Sequence, residues 1–180
     1  LMLDQVVCIN AIKGRNDLLI AEDFIWPDVP QKTPQKASMP VCAALISDMH
    51  VGSRLFMHKA FNRFILWLNG KFGDNNQRNL ASHVKYVVVA GDIVDGIGIY
   101  PGQRKELAIR DVYAQYKEAS KLIEQIPDYI EFIVIPGNHD ASRKALPQPA
   151  LPRDYAEPLY EARKIRSLGN PCVVRLHGVE

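Results

Sequence analysis

Three apolar runs of strand length constrain this chain more than any other feature: VCAALI (41–46), YVVVA (86–90) and IEFIVI (130–135). Each is short, rich in β-branched residues and continuously apolar rather than alternating. That pattern suits strands covered on both faces, as in parallel sheets. Helical patterns lie between them. Phe61, Phe64, Ile65 and Leu68 fall at i, i+3, i+4 and i+7, one apolar stripe, which Gly70, Gly73 and the DNNQRN cluster end. Val112, Tyr116, Ala119, Ile123 and Ile126 share one face of a second predicted helix, from about Glu106 to Ile126, which Pro127 closes. The order β-α-β-α-β predicts an α/β fold with a parallel sheet.

The first 40 residues read differently. QVVCINAI and LLIAEDFIW are predicted strands around a KGRND turn, within 1–26. PDVPQKTPQKASMP (27–40) holds four prolines and little to bury, the composition of a linker. The chain starts inside an apolar stretch and ends at VVRLHGVE, which alternates like a strand. Natural termini are usually polar, so a piece of a longer polypeptide is expected.

Apolar residues are 47% and charged residues 23% of the chain, and the formal charge is +2. These values are ordinary for a globular protein and argue neither for nor against nucleic acid. No apolar run reaches the roughly 18–20 residues of a membrane span, and no export signal opens the chain. Cys8, Cys42 and Cys172 are scattered, without a C-x-x-C pair, and read as buried, reduced thiols of a cytoplasmic protein.

The chemistry lies where the three runs stop. They end in Ser47-Asp48-Met49-His50, Gly91-Asp92-Ile93-Val94-Asp95 and Gly137-Asn138-His139-Asp140. Parallel strands bring their carboxyl ends to one edge, where open α/β sheets collect their chemistry. Each motif alone also serves as a helix cap or turn; together they form a set of metal ligands. Carboxylates with imidazoles suit manganese, iron or zinc better than calcium. In Asp-x-His, alternate residues of an extended segment point the same way. Gly91 lets the backbone turn sharply and aim Asp92 between two ions, which a bridging carboxylate holds about 3.5–4 Å apart. Asn138 adds a neutral oxygen. Two cations so held clamp a phosphate and acidify a water between them. His58, His83 and His177 lack such support and read as structural.

D-x-H, G-D and G-N-H-D resemble the motifs of the calcineurin-like metallophosphoesterase superfamily. The longer stretches IWPDVP, SDMHVGSRLF, GDIVDGIGIYPGQ and IPGNHDASRKALPQPA resemble the small-subunit family of archaeal family D DNA polymerases, over about Leu18 to Glu180. The resemblance implies that 1–26 is the C-terminal part of an oligonucleotide-binding β domain, and that 41–180 is the N-terminal part of a phosphoesterase domain, joined by the 27–40 linker. It implies a 3′–5′ exonuclease that proofreads during DNA replication, with two divalent cations: manganese first, and iron, zinc or magnesium as alternatives. Asp48 and His50 would hold one cation, Asp92 would bridge, and Asn138 would bind the second. His139 would act on the phosphate or protonate the leaving oxygen without binding metal. Asp95 and Asp140 would orient the ligands and the histidine. The implied partners are the large catalytic subunit, the 3′ end of DNA and the sliding clamp. Later G-H and G-H-x-H histidine motifs of the superfamily do not occur in this sequence, and His177 does not match them. The second cation is therefore left with Asp92 and Asn138, and the chain by itself is expected to bind metal weakly and to be inactive. Two other readings stand beside this one: a non-catalytic component that braces the large subunit, and a general metallophosphatase. The basic side chains Lys59, Arg63, Arg104, Arg143 and Arg153 are read as surface solvation before DNA contacts.

Overall fold

The computed structural model describes residues 6–27 and 33–180. It divides into two compact units, with the boundary between Gln35 and Lys36. Residues 28–32, within the predicted linker, and the first five residues of the predicted β domain lie outside the described set.

The first unit is an antiparallel hairpin of β1 (Cys8–Lys13) and β2 (Leu19–Ile25), joined by a short 3-10 turn at Arg15–Asp17. Asn16 and Asp17 take left-handed backbone angles there, as Asn and Asp do more readily than other side chains. The KGRND turn and its flanking strands are thus as the sequence suggests.

The second unit is α/β. β3 (Cys42–Ile46), β4 (Val84–Ala90), β5 (Glu131–Ile135) and β6 (Ile165–Ser167) form a sheet in that order, every neighbouring pair parallel. Helices α1 (His58–Leu68) and α2 (Asn75–Ser82) connect β3 to β4, α3 (Val112–Ile123) connects β4 to β5, and α4 (Arg153–Ala162) leads to β6. The core gathers Val87 and Val89 of β4, Phe132 and Val134 of β5, and Tyr116, Ala119 and Ile123 of α3. These α3 residues belong to the face read from the sequence. No helix of the described residues is long and apolar enough to cross a membrane.

Several expectations need correction. DNNQRN does not simply end a helix; it begins α2. Asp74 accepts from the Gln77 amide at 2.8 Å while the Gln77 side chain accepts from the Asp74 amide at 2.9 Å. This reciprocal cap, worth about 1 kcal/mol for the Asp side, offsets the poor helix propensity of a polar run. The second helical pattern starts at Val112, capped by Asp111, because Gln103–Lys105 forms a separate 3-10 turn. β3 is not covered on both faces: Leu45 is 74% exposed and alternates with half-buried neighbours, as befits an edge strand. VVRLHGVE is no strand among the described residues; Leu176 and Val179 pair across a tight turn with His177 at φ 47°. The cysteines are free, but Cys8 and Cys172 are exposed.

One half-buried cation fastens the end of α3 to the turn into β5. The Arg163 guanidinium donates to the carbonyls of Ile123, Ile126, Pro127 and Ile130 at 2.6–3.3 Å. These are the carbonyls of the α3 terminus and of the turn into β5, which a helix end leaves without intrahelical donors. Burial pulls the Arg163 pKa down, yet four acceptors keep its position.

Candidate metal centre

Beyond their last residues, β3 and β4 continue side by side as non-strand backbone. Asp48 N–H donates to Gly91 O, His50 N–H to Asp92 O, and Val51 N–H to Ile93 O, at 2.9–3.2 Å. The D-x-H and G-D-I-V-D segments are thereby stitched in register. The D-x-H segment is not extended, contrary to the sequence-based expectation. Asp48, His50 and Asp92 all have positive φ, 50–54°, with Met49 buried between the first two. A left-handed Asp or His costs backbone energy that the surroundings must offset, and such residues concentrate at functional sites. Here the twist turns Asp48 and His50 toward the same space by a different route.

The third strand end closes on the second. Gly91, at φ 90°, passes so near Gly137 that a Cβ on it would lie 2.9 Å from the Gly137 Cα. A Cβ on Gly137 would meet the Asp92 carboxylate and lie 2.6 Å from the Asp92 amide nitrogen. Only glycine fits at either crossing. The His139 N–H then donates to Asp92 Oδ1 at 2.8 Å.

His50 Nε2 lies 3.7 Å from Asp48 Oδ1 and 3.9 Å from Asp92 Oδ2. One ligand atom each of His50, Asp92 and His139 falls within 4.8 Å of the others, close enough to share a metal ion. The His50 and His139 rings meet edge to face at 4.5 Å. Asp95 reaches both histidines. Its carbonyl accepts from His139 Nδ1 at 2.7 Å, and since a carbonyl only accepts, Nδ1 carries the proton and Nε2 is left for chemistry. Its Oδ1 stands 3.2 Å from His50 Nδ1, but not in hydrogen-bond geometry; that nitrogen is buried with no hydrogen-bond partner among the described residues. Asp48 is exposed, and so is Asn138 on the third loop.

Asp140 points the other way, under the loops. It accepts from Gly137 N–H at 2.9 Å, from the Ile93 and Val94 amides at 3.4 Å, and from Tyr116 Oη at 3.2 Å. It ties the second and third strand ends and touches neither histidine. Burial raises its pKa, against the lowering effect of the amides. Burial also raises the Tyr116 pKa, with Asp140 adding to it.

Sequence reasoning missed several supports. Gln103, almost fully buried, donates to Asp95 O at 2.8 Å and Asp95 Oδ2 at 3.3 Å, and accepts from Ile99 N–H at 3.0 Å. Gln115 holds Gly96 N–H and O. Gln148 donates to Gly137 O at 3.1 Å. All three are polar residues without metal-ligand chemistry; the one signal for Gln103 and Gln148 is that each lies in a long family-like stretch. The remaining histidines make structural contacts: His58 against the Phe56 ring, His83 Nδ1 to Asn79 O, His177 to Tyr86 Oη. Arg143 is tied to Pro147 O, and Arg153 lies 4.4 Å over the Tyr160 ring.

A family model for the DNA polymerase alpha/epsilon B subunit matches residues 43–180. The chain belongs to the DNA polymerase alpha/epsilon B-subunit family. Archaeal relatives sharpen this. The "DNA polymerase II small subunit" of Methanothermobacter thermautotrophicus is 51% identical over 98% of this chain and 36% of its own length. That of Pyrococcus abyssi is 44% identical over 97% of this chain and 29% of its own, and that of Archaeoglobus fulgidus is 41% identical over 100% and 36%. The chain thus spans about a third of the length of these B-subunit relatives, and the match includes all three strand ends. The resemblance to archaeal polymerase small subunits read from the sequence is borne out.

The donor set fits divalent cations. Carboxylates and imidazoles converge from three loops, and three of the converging residues hold left-handed backbone.

Proposed function

We propose that this chain carries the phosphodiester-cleaving centre of an archaeal replicative DNA polymerase small subunit, a metal-dependent 3′–5′ exonuclease that proofreads. The observation that supports this most is the meeting of His50, Asp92 and His139 within 4.8 Å, with Asp48 beside His50.

In this reading the second unit is a phosphoesterase domain and the hairpin of the first unit is the end of an oligonucleotide-binding domain. Asp48 and His50 would hold one divalent cation, Asn138 would serve a second, and Asp92 would serve both; manganese is the first choice, with iron, zinc or magnesium as alternatives. Bound there, the cations would supply positive charge to the phosphodiester and lower the pKa of a water. His139, its Nδ1–H donating to the Asp95 carbonyl, presents Nε2 to the phosphate, and in the imidazolium form Nε2 would carry the proton for the leaving oxygen. Asp95 fixes that tautomer, and Gln103 fixes Asp95. Asp140 keeps the two loops in register. The partner is the polymerase large subunit, the substrate a DNA 3′ end; a contact with the sliding clamp belongs to the same replication setting.

The test is hydrolysis of a mispaired 3′ terminus by the full-length subunit with manganese. Asp92→Asn is expected to abolish it. Retained activity in that variant contradicts the assignment. A full-length subunit that binds the large subunit tightly but never cleaves DNA would favour the bracing role, and cleavage of phosphomonoesters alone would favour a general phosphatase.

A further inference from the structure

The fourth strand end carries no metal ligand, yet it repeats the Gly-Asn of the third. Beyond β6 the Leu168 N–H still donates to Val134 O at 2.9 Å, which brings Gly169 and Asn170 alongside the end of β5. There Asn170 meets the Gln148 backbone in both directions. Gln148 N–H donates to Asn170 O at 2.7 Å, and Asn170 N–H to Gln148 O at 2.9 Å. A Cβ on Gly169 would lie 2.7 Å from Gln148 O, so the approach requires glycine. The two side-chain amides then divide their N–H groups. Asn170 Nδ2 donates to Pro136 O at 3.2 Å and to Gln148 Oε1 at 3.0 Å. Gln148 Nε2 donates to Gly137 O at 3.1 Å and to Arg143 O at 2.9 Å. Gln148 is only 5% exposed, and each amide nitrogen finds two acceptors for its two N–H groups.

The Pro136 and Gly137 carbonyls belong to the two peptide units that flank Gly137. That residue has to be glycine, because a Cβ would strike the Asp92 carboxylate, and glycine has the least restrained backbone of any residue. Asn138 and His139 come next, so a rotation of either peptide unit moves both. The N–H side of the loop is held by Asp140, which accepts from Gly137 N–H at 2.9 Å, and by Asp92, which accepts from His139 N–H at 2.8 Å. The carbonyl side is held by Asn170 and Gln148. Asn138 is exposed, so its place is set by this backbone and not by packing around its side chain.

We propose that Asn170, acting with Gln148 on the two carbonyls that flank Gly137, is a positioning residue of the metal centre: it sets where Asn138 presents its oxygen, and so the affinity for a cation on that side. The inference rests on the phosphoesterase reading and extends it to a residue outside the three ligand-bearing strand ends. Loss of the Asn170 amide frees the Gly137 peptide units. The Asp48 and His50 side, stitched to β4 through its own backbone bonds, keeps its geometry.

The test titrates manganese into the full-length subunit and follows it by electron paramagnetic resonance, where two ions sharing one carboxylate give a coupled spectrum and a lone ion does not. Wild type is expected to show the coupled pair. Asn170→Ala is expected to keep the first ion and to bind the second about 10- to 100-fold more weakly. At manganese just sufficient to saturate wild type, its kcat on a mispaired 3′ terminus is expected to fall by a similar factor with KM nearly unchanged. Asn170→Asp keeps the shape without the N–H donors and carries the same expectation where the alanine variant unfolds, a case that melting curves with chelator identify. Ser142→Ala removes a hydrogen bond to Pro149 O in the same loop and is expected to move neither readout, which separates positioning from loop stability. A folded Asn170 variant with the coupled spectrum, manganese affinity and kcat of wild type overturns the positioning role and leaves the phosphoesterase reading standing. Unfolding of both variants makes the pair a structural element and overturns the role too. A coupled pair that weakens in the variants, with no cleavage by wild type, keeps the positioning role and removes the phosphoesterase reading.

Discussion

The His139 main-chain N–H donates to Asp92 Oδ1 at 2.8 Å, joining the ends of two adjacent parallel strands. One carboxylate oxygen is thereby committed to the protein, and Oδ2 faces His50. Asp92→Asn keeps the shape but removes the charge a cation pair requires. Loss of exonuclease activity by at least about 100-fold is expected, with manganese affinity falling in parallel, measured by calorimetry on the full-length subunit.

His139 is within ligand reach of the cluster, and Nε2 would also serve as a proton donor when the ring is an imidazolium. The two roles separate in His139→Ala. As a proton donor it costs about 10²- to 10⁴-fold in rate while bound manganese, counted by elemental analysis, stays nearly constant. Loss of metal together with activity would make it a ligand instead.

Gly137→Ala tests the packing of the strand ends. The added methyl would strike the Asp92 carboxylate and amide, which backbone contacts hold in place. Manganese affinity is expected to fall at least about tenfold, with a loss of roughly 1–3 kcal/mol in stability from overpacking, read by calorimetry and thermal melting. A variant with unchanged metal affinity would show that Asp92 is free to move.

Much of this was legible in the sequence. The three apolar runs pointed to a parallel sheet because continuous apolar character suits covered strands, and β5 is covered in that way while β3 is an edge strand. The strand-end motifs follow directly, since parallel strands share an edge. Other features were hidden for physical reasons. Whether β3 is an edge or a central strand depends on neighbours far along the chain. The left-handed turns at Asp48 and His50 have no glycine to betray them. Gln103 and Gln115 act through buried amide hydrogen bonds, and glutamine looks the same in sequence whether it is buried or solvated. Helix α2 depended on a reciprocal cap inside a run that, by composition, reads as loop.

Gln103→Leu should uncouple that support. The Ile99 N–H would lose its acceptor, at about 1–3 kcal/mol for an unsatisfied group, and the Asp95 carbonyl would keep His139 Nδ1 but lose the Gln103 amide. Thermal unfolding is expected to report the loss, and the rate of cleavage to fall more than substrate affinity, because Asp95 anchors His139. An unchanged melting temperature contradicts the burial of this amide.

Asp140 gives a pH test. Burial raises its folded pKa above the ordinary value of 3.8. A raised folded pKa contributes stability that is fully present below the unfolded value and is lost as pH rises through the folded one. Asp140→Asn lacks this contribution, and its amide also meets N–H donors, so it is destabilised at every pH. Its deficit relative to wild type is expected to be largest below pH 3.8 and to shrink as pH rises through the raised folded pKa, in melts with chelator present. A deficit that grows with pH would mean the amide hydrogen bonds outweigh burial.

The most direct measurement is anomalous diffraction at the manganese edge from crystals of the full-length subunit soaked in manganese. Two peaks are expected about 3.5–4 Å apart, one contacting Asp48 and His50, the other Asn138, with Asp92 between them. Peaks elsewhere, with these side chains making no contact to any ion, would contradict the site.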